Sequence, residues 1–154
     1  MLDVPVDTIY VWLGVAAVSV VTLGVVVAFP TSVPPGATAV ADAVDRVAVE
    51  PAGAHERVEV DAVSMRLGAH RIGLRNDGGT AHATFAYGPV TPAVADDRLE
   101  LVLSGHPPDD VFETQAGFRD AVTAAQTSGE WRPAPGQIDV RRVNWGETDV
   151  TLVG

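Results

Sequence analysis

The side chains best suited to chemistry in this chain are four histidines: His55, His70, His82 and His106. A zinc-dependent hydrolase places two histidines four apart on one helix, with a glutamate between them as base. No pair here has that spacing. The run His106-Pro-Pro-Asp-Asp offers one nitrogen and two carboxylates to a metal, but a loop entering a capped helix accounts for the same residues. Ser104 and His106 are the one close Ser/His pair, and they lack the Gly-x-Ser-x-Gly elbow that exposes a nucleophile. The acid pairs Asp96-Asp97 and Asp109-Asp110 would serve glycoside hydrolysis only across a sugar cleft. Gly78-Gly79 is not followed by Gly-Lys-Ser/Thr, so it reads as a turn rather than a phosphate cradle. These residues specify no catalytic group, metal site or cofactor, and the chain is expected not to be an enzyme.

What remains is a surface that could bind. Arg71, Arg75 and His82 fall on the solvent face of one hairpin, where a bound cation would be repelled. Trp145 is a fourth candidate contact, although a tryptophan beside a hairpin turn also packs hairpins onto sheets. Arg141 and Arg142 are adjacent in a strand pattern, so they point to opposite faces and form no patch.

The charge balance narrows the partners. Twenty acidic residues stand against ten basic ones, every one of them arginine, for a net charge of −10. Nucleic acid is disfavoured as a partner, since phosphate backbones are held by clustered Lys and Arg. There is no cysteine, which excludes disulfides, thiolate metal sites and cysteine nucleophiles. An acidic, lysine-free, Ala/Val-rich composition is that of a protein adapted to high salt.

One element dominates the N-terminal part. Ile9 to Phe29 is a run of twenty-one residues without a charge. As a helix it would be roughly 31 Å long, close to the hydrocarbon thickness of a bilayer. Ser19 and Thr22 are its only hydroxyl side chains besides Tyr10, and both can bond their own backbone. Tyr10 and Trp12 stand near one end, as interfacial aromatics do, and Pro30 ends the run. The tail before it has two acids and no base, unlike the basic head of a secretory signal. The run is therefore expected to be a retained single membrane span. Gly14, Ala17, Val21, Gly24 and Ala28 share one side of it, a small-residue face suited to packing against another helix or a second copy. No Arg lies near either end to fix its direction: passage of the short acidic tail would leave the following domain inside, whereas a signal-anchor reading, the one preferred, puts it outside the cell.

The remaining pattern is that of an α+β domain. Pro30–Gly36 reads as a stiff spacer. Val40, Val44 and Val47 make the apolar stripe of a helix over 37–50, stopped by Pro51. "AGAHE" reads as loop and "RVEVDAV" as a strand. Asn76-Asp77-Gly78-Gly79 predicts a hairpin with a primed turn, in which facing residues sum to 155. Met65 and Leu67 fall on the wrong parity for that hairpin, and a bulge near Gly68–His70 would restore it. "RLELVLSG" (98–105) reads as a strand. The stretch 106–129 reads as one helix capped by Asp110, with Val111, Phe118, Val122 and Ala125 buried. "EWRPAPG" reads as loop, and 137–154 as a hairpin about Gly146-Glu147. The expected fold is a mainly antiparallel sheet with two helices on one face. The chain thus divides into an acidic tail (1–8), a transmembrane helix (9–29), a spacer (30–36) and the α+β domain (37–154).

The segments "VDTIYVWLGVAAVSVVTLGVVVAFP", "ADAVDRVA", "HRIGLRNDGGTAHATFAYGPVTP" and "VRRVNWGETDVTLVG" resemble an uncharacterised family of haloarchaeal single-span membrane proteins. The resemblance implies association with Tad-like type IV pilus or secretion gene clusters, and carries over no catalytic residues. The acidic tail departs from a processed pilin. The function expected is that of a membrane-anchored structural or interaction protein of the cell envelope, a component or accessory of a pilus-like or secretion assembly. Its partners would be other membrane or envelope proteins and the lipid bilayer. The alternative is an extracytoplasmic module that binds a small ligand or ion.

Overall fold

The computed structural model describes residues 10–17, 33–127 and 129–154. The chain forms two compact units, Met1–Ser32 and Val33–Gly154. In the first, residues 10–17 are helical, and every one of them is exposed. Among the described residues no helix is long and apolar enough to cross a membrane. The greater part of the expected span, including Val21, Gly24 and Ala28, lies outside the described residues, as do the acidic tail and residues 30–32.

The second unit begins with an irregular stretch, 33–36, that leads into helix α1 (Ala37–Val49). Its buried stripe is Val40, Val44 and Val47 with Ala37, Ala41, Ala43 and Ala48 between them, as the periodicity predicts. Eight strands follow, interrupted by three further helices. They are β1 (His55–Glu59), β2 (Ser64–Leu67), β3 (Arg71–Asn76), β4 (Gly79–Thr84) and β5 (Thr91–Pro92), then α2 (Asp97–Leu103), α3 (Pro108–Val111) and α4 (Gln115–Ala125), then β6 (Trp131–Pro133), β7 (Gln137–Trp145) and β8 (Thr148–Val153).

The strands make two sheets rather than the single one expected, in the orders β1-β7-β8-β5 and β4-β3-β2-β6. All pairings are antiparallel except β5 with β8. The first sheet is covered on both faces. Ile138, Val140 and Val153 join α1 and the inner face of the second sheet in one core. Val143, Val150 and Leu152, on the opposite face, join α2 and α4 in another, built around Leu99, Val102, Phe112 and Phe118. Burial on both faces explains why β8 is buried continuously from Val150 to Val153 instead of alternating. The expectation of two helices on one face is therefore corrected: α1 lies on one side of the first sheet, α2 and α4 on the other.

Several local expectations need correction. The stretch expected as a strand over 98–105 is instead helix α2 (Asp97–Leu103) followed by a turn at Ser104-Gly105. Asp96 accepts a hydrogen bond from the Arg98 backbone at 2.9 Å, and Leu99, Val102 and Leu103 are buried at helical spacing. The single helix expected over 106–129 is two, α3 and α4. Phe112 is extended between them, and Thr114, not Asp110, caps α4 by accepting from Gly117 N at 3.1 Å. Phe118, Val122 and Ala125 are buried as expected, while Val111 is only half-buried against the same core.

The β3–β4 register matches the sum rule: Leu74 faces Ala81 and Ile72 faces Ala83. The turn is not of a primed type, however. The only positive φ in it is at Gly79, and the Asn76 side chain braces the tip by accepting from Gly78 N at 2.8 Å. The parity slip at Gly68–His70 is not a bulge within one strand. It is the reversal between β2 and β3, which pair antiparallel with Leu67 opposite Ile72. His55-Glu56 belongs to β1, not a loop, and Trp131–Pro133 is strand β6 along β2. The last hairpin forms as expected, with φ 64° at Gly146, a conformation that suits glycine.

Candidate functional site

The outer face of the second sheet is built by strand alternation. With Met65, Leu67, Ile72 and Leu74 turned into the core, Arg66, Arg71, Gly73 and Arg75 must turn out. Pairing then sets His82 of β4 opposite Gly73, and Trp131 of β6 opposite Arg66. One row across the sheet reads His82, Gly73, Arg66, Trp131.

Gly73 is the low point of that row. A Cβ there would stand 2.8 Å from His82 Nδ1 and 3.2 Å from Trp131 Cη2, so the two rings close over the bare backbone. They meet edge to face, with centroids 6.2 Å apart. The Arg75 guanidinium lies over the Trp131 ring at 4.4 Å, and its Nε donates to Thr80 Oγ1 at 3.3 Å. Arg66 donates through Nε to the Gly129 carbonyl. Arg71 is exposed and has no partner among the described residues. Beside this row, a cleft of about 520 Å³ is lined by Arg66, His70, Arg71 and His82, with Gly73 among its small residues.

Four arginines elsewhere in the domain are paired with carboxylates. Arg46 pairs with Glu56, Arg57 with Asp139, Arg98 with Asp96 and Arg142 with Asp149. Arg57, and then His55 at 3.1 Å, hold the Asp139 carboxyl below the usual aspartate range, and Arg98 does the same to Asp96. No carboxylate pairs with Arg66, Arg71 or Arg75 among the described residues. Three cations without counter-charges stand together in a chain with twice as many acids as bases.

Arg71, Arg75 and His82 are thus brought to one face. Trp145 is not with them. It lies on β7 in the first sheet, half-buried, its ring tilted against Phe118 at 5.9 Å. Gly14 and Ala17 fall in helical residues 10–17 of the other unit. Sequence reasoning missed Trp131 and Arg66. The available signal was the alternation in Glu130-Trp131-Arg132-Pro133, which turns Trp131 out and Arg132 in, where Arg132 donates to the Val94 carbonyl at 3.1 Å. The other histidine candidates serve local structure. Ser104 Oγ donates to the Leu101 carbonyl at 2.8 Å, and His106 Nδ1 lies 3.0 Å from the same oxygen, so both close the end of α2. Among the described residues no group of three or more His, Asp or Glu could hold a metal ion.

These features define an α+β domain of two four-stranded sheets that carries an open, cationic and aromatic outer face. The chain belongs to a family of unknown function, DUF7283, whose model matches residues 3–143. Searches of curated proteins and of solved structures gave no match.

Proposed function

We propose that this chain is a binding module, not an enzyme, and that the outer face of its second sheet receives an anionic partner. One observation carries the reading: Arg66, Arg71 and Arg75 share that face without a carboxylate, although acids outnumber bases two to one. Guanidinium groups match carboxylate and phosphate oxygens in a planar, two-pronged geometry. Here one guanidinium is already held against an aromatic ring, which fixes its plane at little entropic cost.

The setting we propose is a membrane. Tyr10, Val11, Trp12, Leu13 and Val15 are each 54–69% exposed on a helical segment that is apolar on all sides. Such a surface is stable in lipid or against another apolar helix, and not in water. On this reading the N-terminal run anchors the domain, and the cationic face docks another envelope component. A haloarchaeal pilus-like or secretion assembly is the context that the sequence resemblance suggests.

Thermal unfolding of the full chain in detergent, titrated with citrate, tests the anion site. Citrate should raise the midpoint, and the double variant Arg71→Ser/Arg75→Ser should lose that rise while unfolding at a similar temperature without ligand. An equal rise in the variant would remove this face as the site.

A further inference from the structure

Three of the four sheet edges are blunted, each in a different way. β5 is two residues long and ends in Pro92. β6 is three residues long, and its Pro133 offers no N–H. β1 carries His55, Glu56, Arg57 and Glu59, with Arg57 and His55 tied to Asp139. Charges and prolines of this kind prevent another strand from adding. β4 has neither: its sequence is Gly-Thr-Ala-His-Ala-Thr.

The direction of its free backbone groups follows from one bond. Phe85 N donates to the His70 carbonyl at 2.9 Å, so the pair 70/85 is hydrogen-bonded. Antiparallel pairing alternates, which makes Ala83 and Ala81 bond to β3 and turns the N–H and C=O of Thr80, His82 and Thr84 outward. None of those outward groups has a partner among the described residues. The same three residues are exposed and carry their side chains on the cationic face.

We infer that β4 accepts an acidic, extended polypeptide segment as an added strand, with alternate acidic side chains of that segment reaching Arg71 and Arg75 across the sheet. The inference rests on the anion-binding reading of this face and specifies its ligand. Two strand spacings separate the added strand from β3, about 9.6 Å. Glutamate and arginine side chains leaning toward each other span that distance over the short Thr80 and Thr84. Backbone bonds to β4 would supply affinity, and the arginines would select charge. Charge also decides against a second copy of the chain: β4 against β4 would align two carboxylate-free arginine faces side by side.

The test uses the full chain in detergent and a synthetic peptide of alternating Glu and Thr, labelled for fluorescence anisotropy. Two further peptides carry N-methyl groups on alternate amides, one set for each parity. The unmodified peptide should bind. Methylation of one parity should weaken it more than about tenfold, and of the other by less than about threefold, because a strand presents only alternate amides to its neighbour. Thr84→Pro, which removes an outward N–H and no bond to β3, should weaken the peptide while leaving the citrate response intact. Equal binding of both methylated peptides would overturn strand addition but leave the anion site standing. So would citrate binding without peptide binding. Loss of both ligands' effects would overturn both readings. Self-association of the chain that Thr84→Pro abolishes would give the edge to a second copy and overturn the acidic-segment assignment.

Discussion

Gly73 decides the shape of the candidate site by having no side chain. Its alanine variant would place a methyl group within 2.8 Å of His82 and 3.2 Å of Trp131. Both rings belong to side chains that can swing outward, and alanine suits a strand better than glycine by about 0.5–1 kcal/mol. Gly73→Ala should therefore change unfolding free energy by less than about 1 kcal/mol, measured by urea titration, while reducing the citrate-dependent rise in midpoint. The direction in which Arg71, Arg75 and His82 point was legible in the sequence because one turn fixes register and alternation does the rest. The partnership of Trp131 was not. The alternation of a three-residue strand that ends in Pro133 is too short to be told from a loop, and its neighbour β2 lies more than sixty residues earlier. Trp145 shows the converse: its type suggests a contact, and only its position against Phe118 reveals a packing role.

Among the elements, the two misreadings have a common cause. Arg98-Leu-Glu-Leu-Val-Leu alternates at its start like a strand, yet Leu99, Val102 and Leu103 also fit a helix. A short apolar run carries both periods, and the cap at Asp96 together with burial against β8 selects the helix. In the next stretch two helix starts compete, an acid-rich one at Pro108 and one capped by Thr114, and Phe112 breaks the run because its ring goes into the core against Phe118, 5.3 Å away. The cap assignment is testable. Thr114→Ala should cost about 1 kcal/mol of stability by chemical denaturation, the usual worth of a side-chain cap. Asp110→Ala should cost clearly less, since its side chain caps nothing among the described residues. The α1 stripe, the β3–β4 register and the last hairpin were legible because in each a stop residue or a tight turn coincides with an unambiguous period.

For the molecule as a whole, charge is segregated. Four arginines are matched to carboxylates, Arg132 and Arg141 donate to backbone carbonyls, and the three on the outer face of the second sheet have no carboxylate partner among the described residues. The matched pairs set the response to acid. Asp139 and Asp96 titrate below the ordinary aspartate value when folded, so they stabilise the fold above that value, about pH 3.9. Their contribution is lost as pH falls through the lowered folded pKa. Asp139→Asn should therefore be less stable than the parent at neutral pH, and the two should converge as pH falls through the lowered folded pKa, as followed by denaturant midpoint across a pH series. The topology has a different consequence, one of time. β1 pairs with β7, some eighty residues later, and β8 sits between β7 and β5 in the same sheet. The meander β2–β3–β4 closes through contacts near in sequence, whereas the first sheet waits for its final strands. A chain emerging from the ribosome can therefore pair β2, β3 and β4 early, yet can add Trp131 of β6 and complete the first sheet only when the last strands emerge.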